Sequence, residues 1–380
     1  MKMEQLRQQA QRAFEAGSFL EAIQTQLQVI NLQQGKPESA DDFLYAALYL
    51  YTLPDFLAAA QLLQHGLQLF PADGRLWENL GVCHSRTGQY ADALRALSRA
   101  ESLQVVTANL LDTMVHCHGA LGESAALRQV GERVLQFKDA ALPPQAAMNW
   151  PAAAFDPDGV NIISFSLFGD SERYLLGAQE NVLAARHLYP GWRCRFYCDE
   201  SVPLDCRKSL QQAGAEVVMK PRAQRFVDGL FWRFEVMSDP SVSRFLVRDA
   251  DSVVTVRERL AVNEWLASGQ HFHVMRDWYT HTDLILAGMW GGIGGLLPPY
   301  ALLQQQFRQQ LATTRNLDQQ FLAQIIWPRI RHSVLIHDRW FPNFQARPFP
   351  PGSELGGNRH VGQNAAVLRG KVPPLPEGQE

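Results

Sequence analysis

The stretch Phe245-Leu246-Val247-Arg248-Asp249-Ala250-Asp251-Ser252 runs from three apolar residues into two closely spaced carboxylates. The apolar residues predict a buried strand, and acids two positions apart fall on the same side of an extended chain. Two such carboxylates repel each other unless a cation lies between them, and their oxygens suit Mg²⁺ or Mn²⁺. Asp249 and Asp251 are therefore candidate metal ligands, with an ordinary solvated turn as the alternative.

Strand-like and helix-like segments alternate along the chain before this stretch. NIISFSLFG (161–169), WRCRFYCD (192–199) and EVVMKP (216–221) predict strands, and 171–191 and 204–215 predict helices. This alternation predicts an α/β sandwich with a mostly parallel sheet, whose ligands bind beyond the carboxyl ends of the strands. The acidic pair closes the fourth predicted strand and thus marks that edge of the sheet.

The first 140 residues carry a repeating pattern instead, since Gly88 and Gly122 are 34 residues apart. The segment 74–107 has the spacing of a tetratricopeptide repeat, through Trp77, Leu80, Gly81, Gly88, Tyr90, Ala93 and Ala100. By this resemblance residues 1–140 form an all-α domain of TPR helical hairpins. Such arrays offer a surface to a protein, peptide or glycan acceptor; a plain scaffold or a homodimer surface is the alternative.

The remaining boundaries follow from composition. Residues 141–160 are rich in proline and alanine and predict a linker or an irregular crossover. The α/β domain then covers 161–368, and a flexible C-terminal tail covers 369–380.

Residues 160–365 resemble the GT-A class of nucleotide-sugar glycosyltransferases of bacteria. The resemblance rests on the D-x-D after the fourth strand, an M-R-D strand followed by a histidine and a glycine-rich G-M-W-G strand (271–296), and a D-Q-x-F-L helix (317–330). It implies a metal-dependent glycosyltransferase that takes a sugar from a UDP- or GDP-sugar donor, with Mn²⁺ or Mg²⁺ as cofactor.

The resemblance also assigns roles to residues. Asp249 contacts the ribose or, through water, the metal, and Asp251 ligates the metal. A late histidine completes the shell, for which His360 is preferred over His337. The predicted donor-binding residues are Ser164, Ser166, Phe168, Gly169, Arg233, Gly291 and Gly292. Arg233 on the diphosphate and Arg248 as a structural ion pair are the preferred interpretations, and Arg173 is a weaker phosphate candidate.

Asp277 and Asp318 are the candidate catalytic acids. An inverting transferase needs a carboxylate to deprotonate the acceptor hydroxyl, whereas a retaining enzyme needs none, and the sequence leaves this choice open. Asp318 also suits a helix N-cap.

Composition restricts the function further. Lys and Arg total 35 against 38 Asp and Glu, so no basic excess points to nucleic acid. The sequence shows no apolar run of transmembrane length and no disulfide framework among its five cysteines, which predicts a cytoplasmic protein. The alternative function is a non-catalytic TPR adaptor with a degenerate GT-A-like domain. A sugar-nucleotide pyrophosphorylase is disfavoured, because SLFGDSERY lacks the basic glycine-rich loop such enzymes carry after the first strand.

Overall fold

The computed structural model describes residues 2–33, 39–223, 226–308, 317–356 and 359–365. These residues divide into two compact units, and the boundary lies between Val134 and Leu135, inside a helix that continues to Ala140. The predicted tail 369–380 lies outside the described residues. Among the helices described, none combines the length and the hydropathy that a membrane span requires.

The N-terminal helices form successive hairpins, as the tetratricopeptide spacing predicts. The helices are α1 (Lys2–Glu15), α2 (Phe19–Leu32), α3 (Asp41–Tyr51), α4 (Phe56–Leu69), α5 (Gly74–Arg86), α6 (Tyr90–Ser102), α7 (Ala108–Ala120) and α8 (Ser124–Ala140). Gly17, Gly88 and Gly122 stand in the turns of three hairpins with φ of +78°, +76° and +73°. This left-handed backbone favours glycine, which explains the 34-residue recurrence.

A small residue also lets the paired helices approach, as predicted for Gly81. A Cβ atom added at Gly81 of α5 would lie 2.6 Å from the Leu97 side chain and 3.2 Å from the carbonyl oxygen of Ala93, both in α6. Glycine is therefore the residue that this hairpin accommodates there.

Residues 141–160 contain no helix or strand and belong to the second unit. The Arg244 guanidinium donates hydrogen bonds to the carbonyls of Ala153 (2.7 Å) and Ala154 (2.9 Å). The ring of His271 lies 2.6 Å from the carbonyl oxygen of Pro151. The segment is thus irregular and is tied to Arg244 of β4 and to His271, which directly precedes β5.

The second unit contains a sheet that is mostly parallel, as expected. Its described strands are β1 (Asn161–Leu167), β2 (Trp192–Cys198), β3 (Glu216–Met219), β4 (Arg244–Val247), β5 (Phe272–Arg276), β6 (Trp290–Ile293) and β7 (Val334–Asp338). They lie in the order β3-β2-β1-β4-β6-β5-β7. Only β6 among them runs antiparallel to its neighbours, β4 and β5.

Helices flank this sheet: α9 (Glu172–Leu188), α10 (Leu204–Gln212), α11 (Phe226–Leu230), α12 (Val256–Ala267), α13 (Tyr300–Arg308), α14 (Leu317–Phe321) and α15 (Trp327–Ile330). A π-helical turn (Leu322–Ile326) joins the last two, and 3₁₀ helices span Trp232–Ser238 and Asn343–Gln345. Phe165 of β1 stacks on Phe196 of β2 at 4.7 Å in the core. Because β1, β2 and β4 are parallel, the loops after them meet at one edge of the sheet.

Candidate functional site

The loop that carries Asp249 and Asp251, called the acidic loop below, follows β4 at this edge of the sheet. Its first carboxylate, that of Asp249, pairs with an arginine. Asp249 accepts a hydrogen bond from Nη1 of Arg233, while 41% of its side chain remains exposed. Its carboxylate lies over the backbone of Gly288, where any Cβ atom would collide with it. Gly288 therefore leaves the room that this carboxylate needs.

Arg233 also binds a second predicted site residue. Its side chain is 5% exposed, and Nη2 donates to Oδ2 of Asp318 at 3.0 Å. A buried guanidinium requires such charged partners, because its desolvation is otherwise uncompensated. Arg233 thereby brings together Asp249, after β4, and Asp318, in the first turn of α14. Oδ1 of Asp318 also accepts from the backbone N–H of Gln319 at 2.9 Å, but Asp318 is the second residue of α14 and does not stand at its N-cap position.

The second carboxylate of the loop has its own arginine. Arg173, in the first turn of α9, binds Oδ2 of Asp251 through Nη2 and through Nε at 2.6 Å. Burial and the negative charge of Asp249 raise the pKa of Asp251 above its usual 3.8. The two carboxylates are therefore near enough to repel each other, as their spacing predicts, and two guanidinium groups offset that repulsion.

One face of α9 supports the acidic loop through residues four positions apart. Arg173 holds Asp251, and Gly177 lies directly beneath the loop, since a Cβ there would collide with the Ala250 carbonyl and stand 2.8 Å from Cα of Asp251. Asn181 completes the face. Because residues at i, i+4 and i+8 share one side of a helix, a single helix positions the whole loop.

Asn181 is fully buried and binds the loop backbone through both ends of its amide. Its Nδ2 donates to the carbonyls of Ala250 (3.3 Å) and Ser252 (3.0 Å), and its Oδ1 accepts from the N–H of Val254 at 3.1 Å. These bonds satisfy polar backbone groups that would otherwise be buried without partners.

The serines of β1 support Arg233 rather than facing open space. The hydroxyl of Ser164 is fully buried and donates to the carbonyl of Arg233 at 2.8 Å. The hydroxyl of Ser166 accepts from the N–H of Arg233 at 3.0 Å and lies 3.4 Å from the carbonyl oxygen of Leu230. Both serines thus anchor a neighbouring site residue, and their contact with a nucleotide base stays a prediction.

Phe168 and Gly169 begin the loop after β1. The Phe168 ring packs edge to face on Trp232 at 5.8 Å and closely against Gly229. The N–H of Gly169 donates to Oγ of Ser201 at 2.7 Å, from the loop after β2. Both residues therefore lie at the predicted edge of the sheet.

Gly291 and Gly292 allow close packing inside β6. A Cβ at Gly291 would stand 2.5 Å from the carbonyl oxygen of Phe245, and one at Gly292 would stand 2.5 Å from the ring of Phe272. Both glycines are buried between neighbouring strands. Their lack of side chains makes room for core groups, and a contact with the donor sugar stays a prediction.

The carboxylate of Asp277, the other candidate catalytic acid, is fully buried and already bound. It pairs with Arg257 through two contacts of 2.9 Å and accepts from the N–H of Val361 at 2.9 Å. A carboxylate held in this way does not reach an acceptor hydroxyl. Asp277 instead anchors the C-terminal segment that returns to the sheet.

That segment carries His360, whose role as a metal ligand stays a prediction. The N–H of Ala365 donates to the backbone carbonyl of Asp251 at 2.9 Å, so the segment does return to the acidic loop. The His360 ring, however, stacks on Trp278 at 4.9 Å, with Nδ1 3.0 Å from the Val361 carbonyl. Among the residues described, no group of three or more His, Cys, Asp or Glu is arranged to hold a metal ion.

His337, the alternative metal ligand, belongs to a buried histidine pair. Its Nδ1 lies 2.9 Å from Nε2 of His273, and its Nε2 lies 3.0 Å from Glu264. Burial lowers the pKa of His273 well below 6.5, with a further contribution from His337, and burial also lowers the pKa of His337.

This pair predicts a loss of stability in mild acid. Since both pKa values are lower in the folded than in the unfolded chain, the unfolded chain binds more protons below pH 6.5. The free energy of unfolding should fall as pH drops from 7 toward 5, by up to about 1.4 kcal/mol per pH unit for each histidine. Urea unfolding of His337→Gln should show a shallower pH slope than the unmodified protein.

The matched control is His187→Gln, which changes an exposed histidine of α9. It should keep the slope of the unmodified protein. An unchanged slope in His337→Gln would contradict the assignment.

Several residues at the site were not predicted from the sequence. Gly177 and Asn181 carry no motif, although their spacing from Arg173 outlines one helix face. Gln319, next to Asp318, accepts from the N–H of Ala287 through Oε1 at 3.1 Å and so ties α14 to the loop before β6. The adjacent Asp318 and Gln319 of the D-Q-x-F-L segment are the sequence feature that points to this contact. Arg248 is structural, as preferred, since its Nε donates to buried Glu258 at 2.6 Å.

Comparisons with known proteins return helical-repeat structures. No protein family and no curated protein matches the chain. It is similar to an O-GlcNAc transferase mutant from Thermobaculum terrenum, with 16% identity and a TM-score of 0.38, over 65% of this chain and 45% of that one. The chain thus spans less than half the length of that transferase.

Two further similar structures contain repeats. A MamA fragment from Desulfovibrio magneticus RS-1 has 16% identity and a TM-score of 0.33, over 37% of this chain and 77% of that one. YrrB, described as a TPR protein with an unusual peptide-binding site, has 14% identity and a TM-score of 0.30, over 33% and 64%. At these values the similarities carry no conclusion about function.

Proposed function

We propose that the protein is a metal-dependent glycosyltransferase of the GT-A type, which transfers a sugar from a UDP- or GDP-sugar. The observation that supports this most is the pair Asp249 and Asp251 at the carboxyl edge of the sheet, with Arg173 and Arg233 beside them. Carboxylates at such an edge suit the cation that a diphosphate needs, and the partly exposed guanidinium of Arg173 suits its phosphate oxygens, whereas Arg233 is already held by Asp249 and Asp318.

The two aspartates fit a hard divalent cation. Mg²⁺ is commonly held by one or two carboxylates, with water and phosphate oxygens as the other ligands. Asp251 would be the direct ligand, and Asp249, whose side chain is more exposed, would lie on the open side of the loop. A bound ion would neutralise charge on the departing nucleoside diphosphate.

The chain's own residues have separate tasks in this proposal. Arg233, buried and fixed from both sides by carboxylates, keeps Asp249 and Asp318 oriented. Asp318 is the remaining candidate to accept the proton of the acceptor hydroxyl, since Asp277 is fully bound. If the enzyme retains configuration, Asp318 positions the acceptor instead.

Release of nucleoside diphosphate from a panel of UDP- and GDP-sugars tests the proposal. We expect release or tight binding with at least one donor in the presence of Mn²⁺ or Mg²⁺, and its loss on chelation. Absence of both release and binding with every donor would instead favour the non-catalytic adaptor. That alternative is supported by the ion pairs in which Arg173 and Arg233 already neutralise the two aspartates.

We further propose that the helical repeats recruit the acceptor. A groove of about 560 Å³ lies among α4, α5 and α6, with an apolar floor that includes Leu67 and Leu80. Arg95 and Arg99 line it together with a single acidic residue, Asp92. This favours an acceptor polypeptide with acidic side chains.

Arg99→Glu should therefore weaken transfer to such an acceptor by about tenfold, because it reverses a charge in the groove. Donor hydrolysis should remain unchanged, since Arg99 belongs to the first unit. The control Arg128→Glu reverses an exposed charge on α8 outside the groove lining. Equal acceptor kinetics in both variants would exclude the groove.

A further inference from the structure

We infer that the Arg173 side chain takes the place of the metal ion on Asp251 in the metal-free protein, so that Arg173 and the divalent cation compete for one carboxylate. The inference rests on the proposed metal site and adds a regulatory role for a residue of the first turn of α9. In the metal-free protein the Arg173–Asp251 ion pair would thus occupy the site until a metal ion displaces Arg173.

The geometry of the pair carries this inference. Both Nε and Nη2 of Arg173 bind the same oxygen, Oδ2, of Asp251. The carboxylate is 9% exposed, whereas the Arg173 side chain is 34% exposed. The aspartate is thus fixed inside the loop while its cation reaches it from the solvent side. A metal ion that approaches from solvent meets the guanidinium first.

The backbone beneath Asp251 does not follow Arg173 when the arginine leaves. Asn181 binds the loop on both sides of Asp251, and Ala365 binds its carbonyl. The carboxylate therefore keeps its place for either cation. Because Asp249 raises the cost of an unpaired charge at Asp251, one cation must be present whenever both acids are ionised.

Arg233, unlike Arg173, is too deeply buried to exchange with a metal ion. Its side chain is 5% exposed and is shared between Asp249 and Asp318. Withdrawal of Arg233 would leave a charge buried without a partner, which is strongly unfavourable. Arg173, whose side chain is 34% exposed, faces a smaller penalty, since water can solvate it on release.

Competition has a measurable consequence for metal affinity in the absence of nucleotide. Arg173→Met removes the internal cation and should tighten Mn²⁺ binding by about tenfold, since the metal no longer displaces a charged group. Arg173→Lys retains the charge without the second hydrogen bond on Oδ2 and should fall between the two. Calorimetry with Mn²⁺ alone on the full chain measures all three affinities.

Arg186→Met is the matched control, because it removes an exposed arginine from the last turn of the same helix. It should bind Mn²⁺ as the unmodified protein does. Tighter binding in Arg173→Met, abolished by adding Asp251→Asn, supports the inference. Equal or weaker Mn²⁺ binding in Arg173→Met, with Arg173→Lys also unchanged, overturns it and leaves the proposed function standing. If neither the unmodified protein nor any variant binds Mn²⁺, with or without UDP or GDP, both proposals are overturned.

Discussion

Asp251→Asn is expected to reduce metal-dependent turnover of the donor by about 100-fold or more, because it removes the charged oxygen that would ligate the cation directly. The fold should tolerate this change. The asparagine has nearly the same shape, and the Arg173 that it leaves unpaired is 34% exposed and can be solvated. The free energy of unfolding should therefore change by no more than about 1 kcal/mol.

Donor hydrolysis with saturating Mn²⁺ and urea unfolding of the same preparations measure both expectations. Asp205→Asn, an exposed aspartate in the first turn of α10, is the control and should change neither. Unchanged turnover in Asp251→Asn would contradict the assignment of Asp251 as a metal ligand. A large loss of stability would instead mean that Asp251 is a structural residue.

Gly177→Val should both destabilise the second unit and disrupt its site. The added side chain would collide with the Ala250 carbonyl and crowd Cα of Asp251, and backbone does not move aside as a flexible side chain does. We expect a loss of about 3 kcal/mol in the free energy of unfolding, at the upper end for overpacking. The displaced loop should also bind Mn²⁺ at least tenfold more weakly.

Leu183→Val introduces the same residue on an exposed position of α9 and serves as the control. Its stability should remain within about 0.5 kcal/mol of the unmodified protein, the usual range for surface changes. Tm and Mn²⁺ titration distinguish the two variants. If Gly177→Val retained both, the contact between α9 and the acidic loop would not exist in solution.

Much of the architecture was predictable from local pattern. The recurrence of Gly88 and Gly122 reflects a positive φ in each hairpin turn, which is a property of a few neighbouring residues. The placement of the acidic pair after β4 likewise follows from an apolar run that ends in acids. The antiparallel direction of β6 was not predictable, because a strand's residues do not encode the direction of its neighbours.

The candidate site was predictable only in part, since its contacts join distant segments. The pairing of Arg233 with Asp318 spans 85 residues, and that of Arg173 with Asp251 spans 78. For the glycines of β6, the sequence indicates a close approach but not which group approaches. Gly291 faces the backbone of β4, and an unoccupied Cβ position looks the same in sequence whether a ligand or a core group fills it.

We propose that Asp249 and Asp251 hold a divalent cation that in turn holds a pyrophosphate. An anomalous difference map from crystals soaked with Mn²⁺ and UDP or GDP tests it most directly. We predict a peak about 2.0–2.2 Å from an Asp251 carboxylate oxygen, next to the diphosphate, with Arg173 displaced. Bound nucleotide without such a peak, or Mn²⁺ only at other residues, would contradict the claim.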